Sequence, residues 1–249
     1  MDLGLNGRAC VVTGATRGIG QATARLLAAE GANVLGVARG EGADLAVDVT
    51  EPGAAERVVE ECVARFGSID VLVNNAGTSR VRSLDELTDE EWQEQLDLHV
   101  MAPLRLMRAA APLMAERGWG RIVNVCSSSG KRPSLTNAAY SVSKSAQLSL
   151  SRVFADTYAQ EGVLVNAVAP GAADTPLWLA EGGLADQAAA AKGITREEAI
   201  ESTRAKIPLG RFGTEDEIAA VIAFLCSERA SDVAGAAWSV DGGSVPTIV

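Results

Sequence analysis

The sequence is short of the residues that build metal and disulfide sites. Its 249 residues hold one histidine, His99, and four cysteines, Cys10, Cys62, Cys126 and Cys226, with no Cys-x-x-Cys pair. That supply does not make a zinc site, and Cys10, Cys62 and Cys226 sit in apolar runs as small buried hydrophobes. No basic tract opposes the formal net charge of −10, which excludes general affinity for nucleic acid. No basic-then-apolar leader opens the sequence, and no apolar run approaches a membrane span. A cytoplasmic protein that acts on a small molecule, with neither nucleic acid nor membrane as partner, is expected. Repeats, low-complexity tracts and linkers are also missing, so residues 1–249 read as one domain.

What is present is an alternation of strand and helix patterns. Residues 8–13 are apolar and β-branched, residues 19–30 are rich in alanine and leucine, and Gly31 supplies a stop. Residues 33–38 and 44–47 read as further strands, separated by a gap too short for the helix of a parallel crossover. Thr50 and Pro52 mark the next helix, with Val58, Val59, Cys62, Val63 and Phe66 as its apolar stripe. Residues 69–73 form a strand and residues 89–116 one long helix. Strands at 121–126 and 163–168 flank a helix at 140–161. Thr214 and Glu217 make a capping box ahead of Ile218, Val221, Ile222 and Leu225, and residues 236–240 make a last strand. The pattern predicts an α/β fold, a doubly wound and mostly parallel sheet with helices on both faces. Residues 176–207 are long, alanine-rich and irregular, and read as a substrate lid opened by Leu177, Trp178 and Leu179.

The run Thr13-Gly14-Ala15-Thr16-Arg17-Gly18-Ile19-Gly20 joins the first strand to the first helix. Glycines there let the backbone turn tightly and approach a pyrophosphate resting on the helix N-terminus. The spacing is Gly-x-x-x-Gly-x-Gly. Further on stand Asn74-Asn75-Ala76-Gly77, Ser127, Tyr140 with Lys144 in a Tyr-x-x-x-Lys pattern, and Pro170-Gly171 followed by Thr175.

In this order the elements resemble the short-chain dehydrogenase/reductase family along nearly the whole chain. The resemblance implies a Rossmann-like fold. It assigns Gly14, Thr16, Arg17, Gly18, Ile19, Gly20, Asn75, Ala76 and Gly77 to the cofactor loops, and Asp48-Val49 to the adenine. Pro170, Gly171, Ala173 and Thr175 go to the nicotinamide turn. Ser127, Tyr140 and Lys144 become the catalytic set, with Tyr140 and Lys144 also touching cofactor. Substrate would lie against Ser127, Tyr140, Leu177 and Trp178. The resemblance also implies a homotetramer that pairs the helices at 89–116 and 140–161.

The residue types suit the chemistry. Carbonyl reduction needs a hydride on carbon and a proton on oxygen, and a tyrosine can supply the proton. A free phenol titrates at about 10, some three units too high, and one positive charge at about 4 Å offsets about that much. Lys144, one turn after Tyr140, is placed to supply it. Ser127 would hydrogen-bond the substrate oxygen.

Cofactor choice turns on the end of the second strand, where a carboxylate marks NAD use. Ala38 stands there, followed by Arg39, which with Arg17 could clamp a 2′-phosphate; NADP(H) is favoured, with NAD(H) the alternative.

Two positions depart from the family pattern. Ala173 replaces a larger Val or Ile. His99 stands where an asparagine is usual, and it carries three readings. It is a packed residue, or an imidazole that relays the proton, or a residue acting through its carbonyl, which Pro103 frees while kinking the helix. Lys131-Arg132 reads as a solvated pair or as an attractor for an anionic substrate.

The expected activity is NADP(H)-dependent interconversion of a carbonyl and a secondary alcohol, on a 3-oxoacyl thioester or another small ketone. The stretch from Asp186-Gln187 to Gly193-Ile194 resembles 3-hydroxybutyrate dehydrogenases, but Ser79, Ser129 and Asn137 do not match their carboxylate site. The rival readings are a non-catalytic nucleotide sensor or scaffold on the same fold, and a carbon–carbon reductase or epimerase.

Overall fold

A computed structural model describes residues 2–246. Strands β1 (Ala9–Thr13), β2 (Asn33–Ala38), β3 (Leu45–Ala46), β4 (Val71–Asn74), β5 (Gly120–Val125), β6 (Val163–Pro170) and β9 (Ala237–Val240) form one sheet. Its order is β3-β2-β1-β4-β5-β6-β9, and every pairing is parallel. A second, two-stranded sheet pairs β7 (Ala173–Asp174) with β8 (Gly213–Thr214). The expected α/β architecture is present.

Both faces of the large sheet are covered, so strand residues of both parities are buried. Cys10, Val12, Val71, Val73 and Val123 pack with Leu27 of α1 (Gly18–Ala29) and with Ile218, Ile222 and Leu225 of α10 (Glu215–Leu225). Ala9, Val11, Leu35, Leu72 and Ile122 point the other way, to α2 (Ala54–Phe66), α4 (Ala102–Glu116) and α6 (Ala138–Tyr158). The expected capping box is there too, with Thr214 and Glu217 exchanging bonds at the start of α10.

Three local expectations need correction. The region 89–116 is not one regular helix: α3 (Asp89–Leu96) passes into a π-helical turn, Asp97–Met101, before α4. Pro103, four residues after His99, has no N–H to complete the α-helical ladder there, and the chain widens to i−5 bonding. Second, Val63 is 36% exposed, so the buried stripe of α2 narrows to Val58, Val59 and Cys62. Third, residues 176–207 are mostly helical rather than irregular, with α7 (Pro176–Leu179), α8 (Leu184–Lys192) and α9 (Arg196–Arg204). As the short gap implied, β2 and β3 run parallel with no crossover helix. Residues 39–44 fold back along β2 instead, and Asp44 bonds Gly36 twice, from its N–H and through its carboxylate.

The order reverses between β1 and β4, whose following connections leave the sheet in opposite directions. That switch point opens a crevice at the carboxyl ends of the strands.

At the opposite end the backbone approach is closest at Gly162. Its φ is +81°, and a Cβ there would lie 2.1 Å from the Gly118 carbonyl oxygen. Gly162→Ala should therefore lower stability by about 2 kcal/mol or more, read as a fall in the urea midpoint. An unchanged midpoint would show that this junction is not as tight as its geometry.

Candidate active site

Two turns interlock at the mouth of the crevice. The Thr13 hydroxyl accepts the N–H groups of Asn75 (2.9 Å) and Ala76 (3.0 Å). In return, the Asn75 amide donates to the carbonyls of Thr13 (2.8 Å) and Gly14 (3.3 Å). The interlock leaves no room for side chains: a Cβ on Gly20 would stand 2.2 Å from the Gly14 carbonyl oxygen and 2.3 Å from the Asn75 amide nitrogen. The turn therefore lies flat against the start of α1, with Gly18 buried and Thr16 and Ile19 half-buried. From the far side, Thr175 and Pro176 come close enough that a Cβ on Gly18 would meet them at 4.0 and 3.9 Å. The structure thus brings Gly14–Gly20, Asn75–Gly77 and the Pro170–Thr175 turn, with buried Ala173, to one crevice headed by a helix N-terminus. That is the kind of cradle a dinucleotide pyrophosphate needs.

Where the adenine was expected, Val49 is buried and Asp48 accepts from the Thr50 N–H and hydroxyl at 3.0 and 2.7 Å. Burial pulls the Asp48 carboxyl upward, but these bonds and the Arg39 charge hold it below the usual range. Arg39 is exposed and 3.8 Å from Asp48; Arg17 is exposed at the N-cap of α1. Both arginines keep guanidinium donors open to solvent.

Ser127 begins the short helix α5 (Ser128–Lys131) as its N-cap, its hydroxyl accepting from the Ser129 N–H at 3.1 Å. Gly130 fixes that helix to α6, since a Cβ there would meet the Lys144 backbone carbon at 2.9 Å, and Ser145 donates to the Gly130 carbonyl. Ser127 is thereby set beside Tyr140. Burial pushes the Tyr140 hydroxyl up to about 12, against a lowering hydrogen bond from Ser127. Lys144 is 3% exposed, and burial brings its ammonium down to about 8. Its Nζ donates to the Val125 carbonyl (2.8 Å) and to Gln147 Oε1 (2.9 Å), and stands 5.8 Å from the centre of the Tyr140 ring. The expected lowering of the Tyr140 phenol by the Lys144 charge is outweighed by burial in the protein without a bound nucleotide. The ammonium is engaged elsewhere, and dehydration of the phenol dominates.

His99 is fully buried. The Thr78 N–H donates to Nε2 at 3.3 Å, so the proton lies on Nδ1 and is given to Ser143 Oγ at 2.9 Å. Ser143 in turn donates to the Tyr140 carbonyl at 2.8 Å. The ring meets the Tyr140 ring edge to face at 5.2 Å. Burial, with the Lys144 charge adding to it, holds the imidazole well below its ordinary range, so it is neutral at physiological pH. Both nitrogens are hydrogen-bonded within the protein. The ring ties the Gly77–Thr78 turn to α6.

Other expected residues lie at the rim. Leu177 is 38% exposed, and Trp178 sets its edge against Phe212 at 5.3 Å. Helix α8 is tied to the cleft wall, Gln187 Oε1 accepting the Val81 N–H at 2.9 Å. Lys131 is half-buried, its ammonium donating to the Ala237 carbonyl (2.6 Å) and the Ser239 hydroxyl (2.9 Å) of β9 at the surface, while Arg132 is exposed. Ser79 and Asn137, left unmatched by the sequence, face each other at 3.4 Å in the same wall.

Sequence reasoning missed Thr13, Ser143 and Gln147. A signal existed for two of them: Tyr140, Ser143, Lys144, Gln147 and Ser151 recur at helical spacing, a polar stripe on a face that the fold buries.

A family model described as enoyl-(acyl carrier protein) reductase matches residues 14–245. The 3-oxoacyl-[acyl-carrier-protein] reductase FabG of Escherichia coli is 35% identical, over 97% of this chain and 98% of its own. The D-beta-hydroxybutyrate dehydrogenase of Cupriavidus necator is 35% identical over 97% and 99%. Among solved structures, L-sorbose reductase of Gluconobacter frateurii, complexed with NADPH and L-sorbose, superposes with a TM-score of 0.91 at 35% identity, covering both chains fully. Relatedness of this extent, on a crevice and a serine–tyrosine–lysine cluster of this geometry, makes the chain a member of the short-chain dehydrogenase/reductase family of oxidoreductases.

Proposed function

We propose that the protein is an NADP(H)-dependent oxidoreductase interconverting a small carbonyl compound and its secondary alcohol. The observation that carries this reading is the placement of Ser127, Tyr140 and Lys144 along one wall of the crevice that the glycine turn opens. Related proteins are named as ketone-forming or ketone-reducing enzymes, which gives the sensor or scaffold reading no footing. A 3-oxoacyl thioester or another small ketone is the substrate class proposed.

The residues fit a dinucleotide because Gly14 and Gly20 leave the backbone bare at the N-terminus of α1. Bound there, the nicotinamide supplies or accepts the hydride. Ser127 donates a hydrogen bond to the carbonyl oxygen and turns the carbonyl toward Tyr140. Tyr140, held protonated by burial, delivers the proton as charge builds on that oxygen. The Lys144 ammonium then lowers the cost of the phenolate left behind. Shielding from water strengthens each of these interactions, and residues 176–207, with Leu177 and Trp178, form the proposed cover. His99 acts by positioning.

One domain spanning residues 1–249, a cytoplasmic location and a homotetramer complete the proposal. Exposed Leu113 on α4 and exposed Val142 and Val153 on α6 support pairing through those helices, a state that light scattering reads directly.

Cofactor preference follows from the second strand. Ala38 offers no carboxylate, and the open donors of Arg39 and Arg17 suit a 2′-phosphate. NADPH should give the higher kcat/KM, and Ala38→Asp should reverse the order by charge repulsion. A wild-type preference for NADH would refute this assignment.

The proton step makes a joint prediction. Tyr140→Phe should reduce kcat at least about a hundredfold while cofactor still binds. In the wild type, carbonyl reduction should hold on the acid side and fall as pH rises through about 8, where Lys144 loses its charge. Assays of NADPH oxidation across ketones, 3-oxoacyl thioesters and quinones supply the rates. Near-normal turnover by Tyr140→Phe would overturn the mechanism.

A further inference from the structure

Gln147 lies one turn beyond Lys144 on α6 and is 1% exposed. A long polar side chain buried that deeply costs stability unless it is bonded. Its carbonyl oxygen accepts from Lys144 Nζ at 2.9 Å, on an ammonium whose other protein partner is the Val125 carbonyl at 2.8 Å. An ammonium has three protons and no acceptor capacity, so these two bonds fix its direction and leave one proton for the crevice.

The groups facing Lys144 carry no compensating negative charge. Tyr140 lies one turn back on α6, Cys126 follows the end of β5, and His99 comes from the π-helical turn. Burial holds both the Tyr140 hydroxyl and the Cys126 thiol up to about 12 and keeps His99 neutral. Lys144 is in none of the ion pairs among the described residues. Its charge is held by neutral oxygens alone, and Gln147 is the one side chain among them.

We propose that Gln147 is a positioning residue of the reaction, its side-chain oxygen keeping the Lys144 ammonium charged and aimed so that it supports proton transfer at Tyr140. This rests on the proposed roles of Tyr140 and Lys144. It makes the charge of Lys144 adjustable from a residue that touches neither substrate nor Tyr140.

Two substitutions of similar length move the charge in opposite senses. Gln147→Met removes the acceptor, so the ammonium loses a stabilising bond and should release its proton at lower pH. Gln147→Glu places a carboxylate in the same position and should hold the proton to higher pH. Each shift should be about one pH unit, the scale of one hydrogen bond to a buried charge. A side chain that merely fills space would give no such opposition.

Lysines Lys131, Lys144, Lys192 and Lys206 are the only ones in the sequence, so NMR of lysine-labelled protein can follow the Lys144 side chain without turnover. The midpoint should fall in Gln147→Met and rise in Gln147→Glu, and the fall in reduction rate with pH should move with it. Midpoints or rate profiles that stay at the wild-type values, or that move in the same direction in both variants, overturn the proposal. Should Gln147→Met be too unstable to assay, the sign of the Gln147→Glu shift decides. Tyr140→Phe in the same buffers separates the two readings: full turnover there would overturn the role of Tyr140, whatever the Lys144 midpoints show.

Discussion

The site depends on one buried hydrogen bond, from the Lys144 ammonium to the Val125 carbonyl at the end of β5. It anchors α6 to the sheet where the sheet opens to the crevice, and so it sets how far Tyr140, one turn earlier, reaches into it. A charge buried without partners would cost several kcal/mol or shed its proton. The fold answers with a polar face on α6 instead of an apolar one. Gln147 takes a second ammonium proton, and Ser143 bonds back to the Tyr140 carbonyl. Deeper in, Ser151 accepts from Asn124, whose own carbonyl oxygen accepts from Asn74 of β4. The helix is thus seated by directional bonds, which allow fewer alternative positions than apolar packing does.

From that anchor the other parts follow. Gly130 lies against the Lys144 backbone and carries Ser127 into range of Tyr140. His99 extends the network from Ser143 to the Thr78 N–H, and so to the turn whose Asn75 and Ala76 clasp Thr13 and Gly14. Hydrogen bonds, with the chain segment 75–78 between them, therefore join the backbone of the proposed proton donor to the loop that would hold the cofactor. The π-helical turn at Asp97–Met101 makes this possible, because it lets a helix that would otherwise run straight carry the His99 ring inward.

Much of this was legible in the sequence, for reasons that are local. Glycines at 14, 18 and 20 state where backbone must approach backbone, and Tyr140 and Lys144 share a helix face by spacing alone. Pro103 announced a disturbance in the helix, though not its form, because a missing N–H says which bond is lost and not which bond replaces it. The bonding of His99 was not legible, since its partners Thr78 and Ser143 are 21 and 44 residues away. Nor was the rise of the Tyr140 hydroxyl to about 12, which needs the whole surroundings to be known. Residues 176–207 misled because short helices capped by glycine and threonine lack the long periodicity that marks a helix in sequence.

In the proposed reaction the hydride comes from the nicotinamide while the proton comes through Tyr140 to the same carbonyl. Reduction of a ketone with NADPH deuterated at the transferring position of the nicotinamide, run in ordinary water, tests it most directly. Deuterium is expected on the new carbinol carbon and on no other carbon of the product. Deuterium on a neighbouring carbon, or a product whose carbinol carbon carries hydrogen from water, would contradict it.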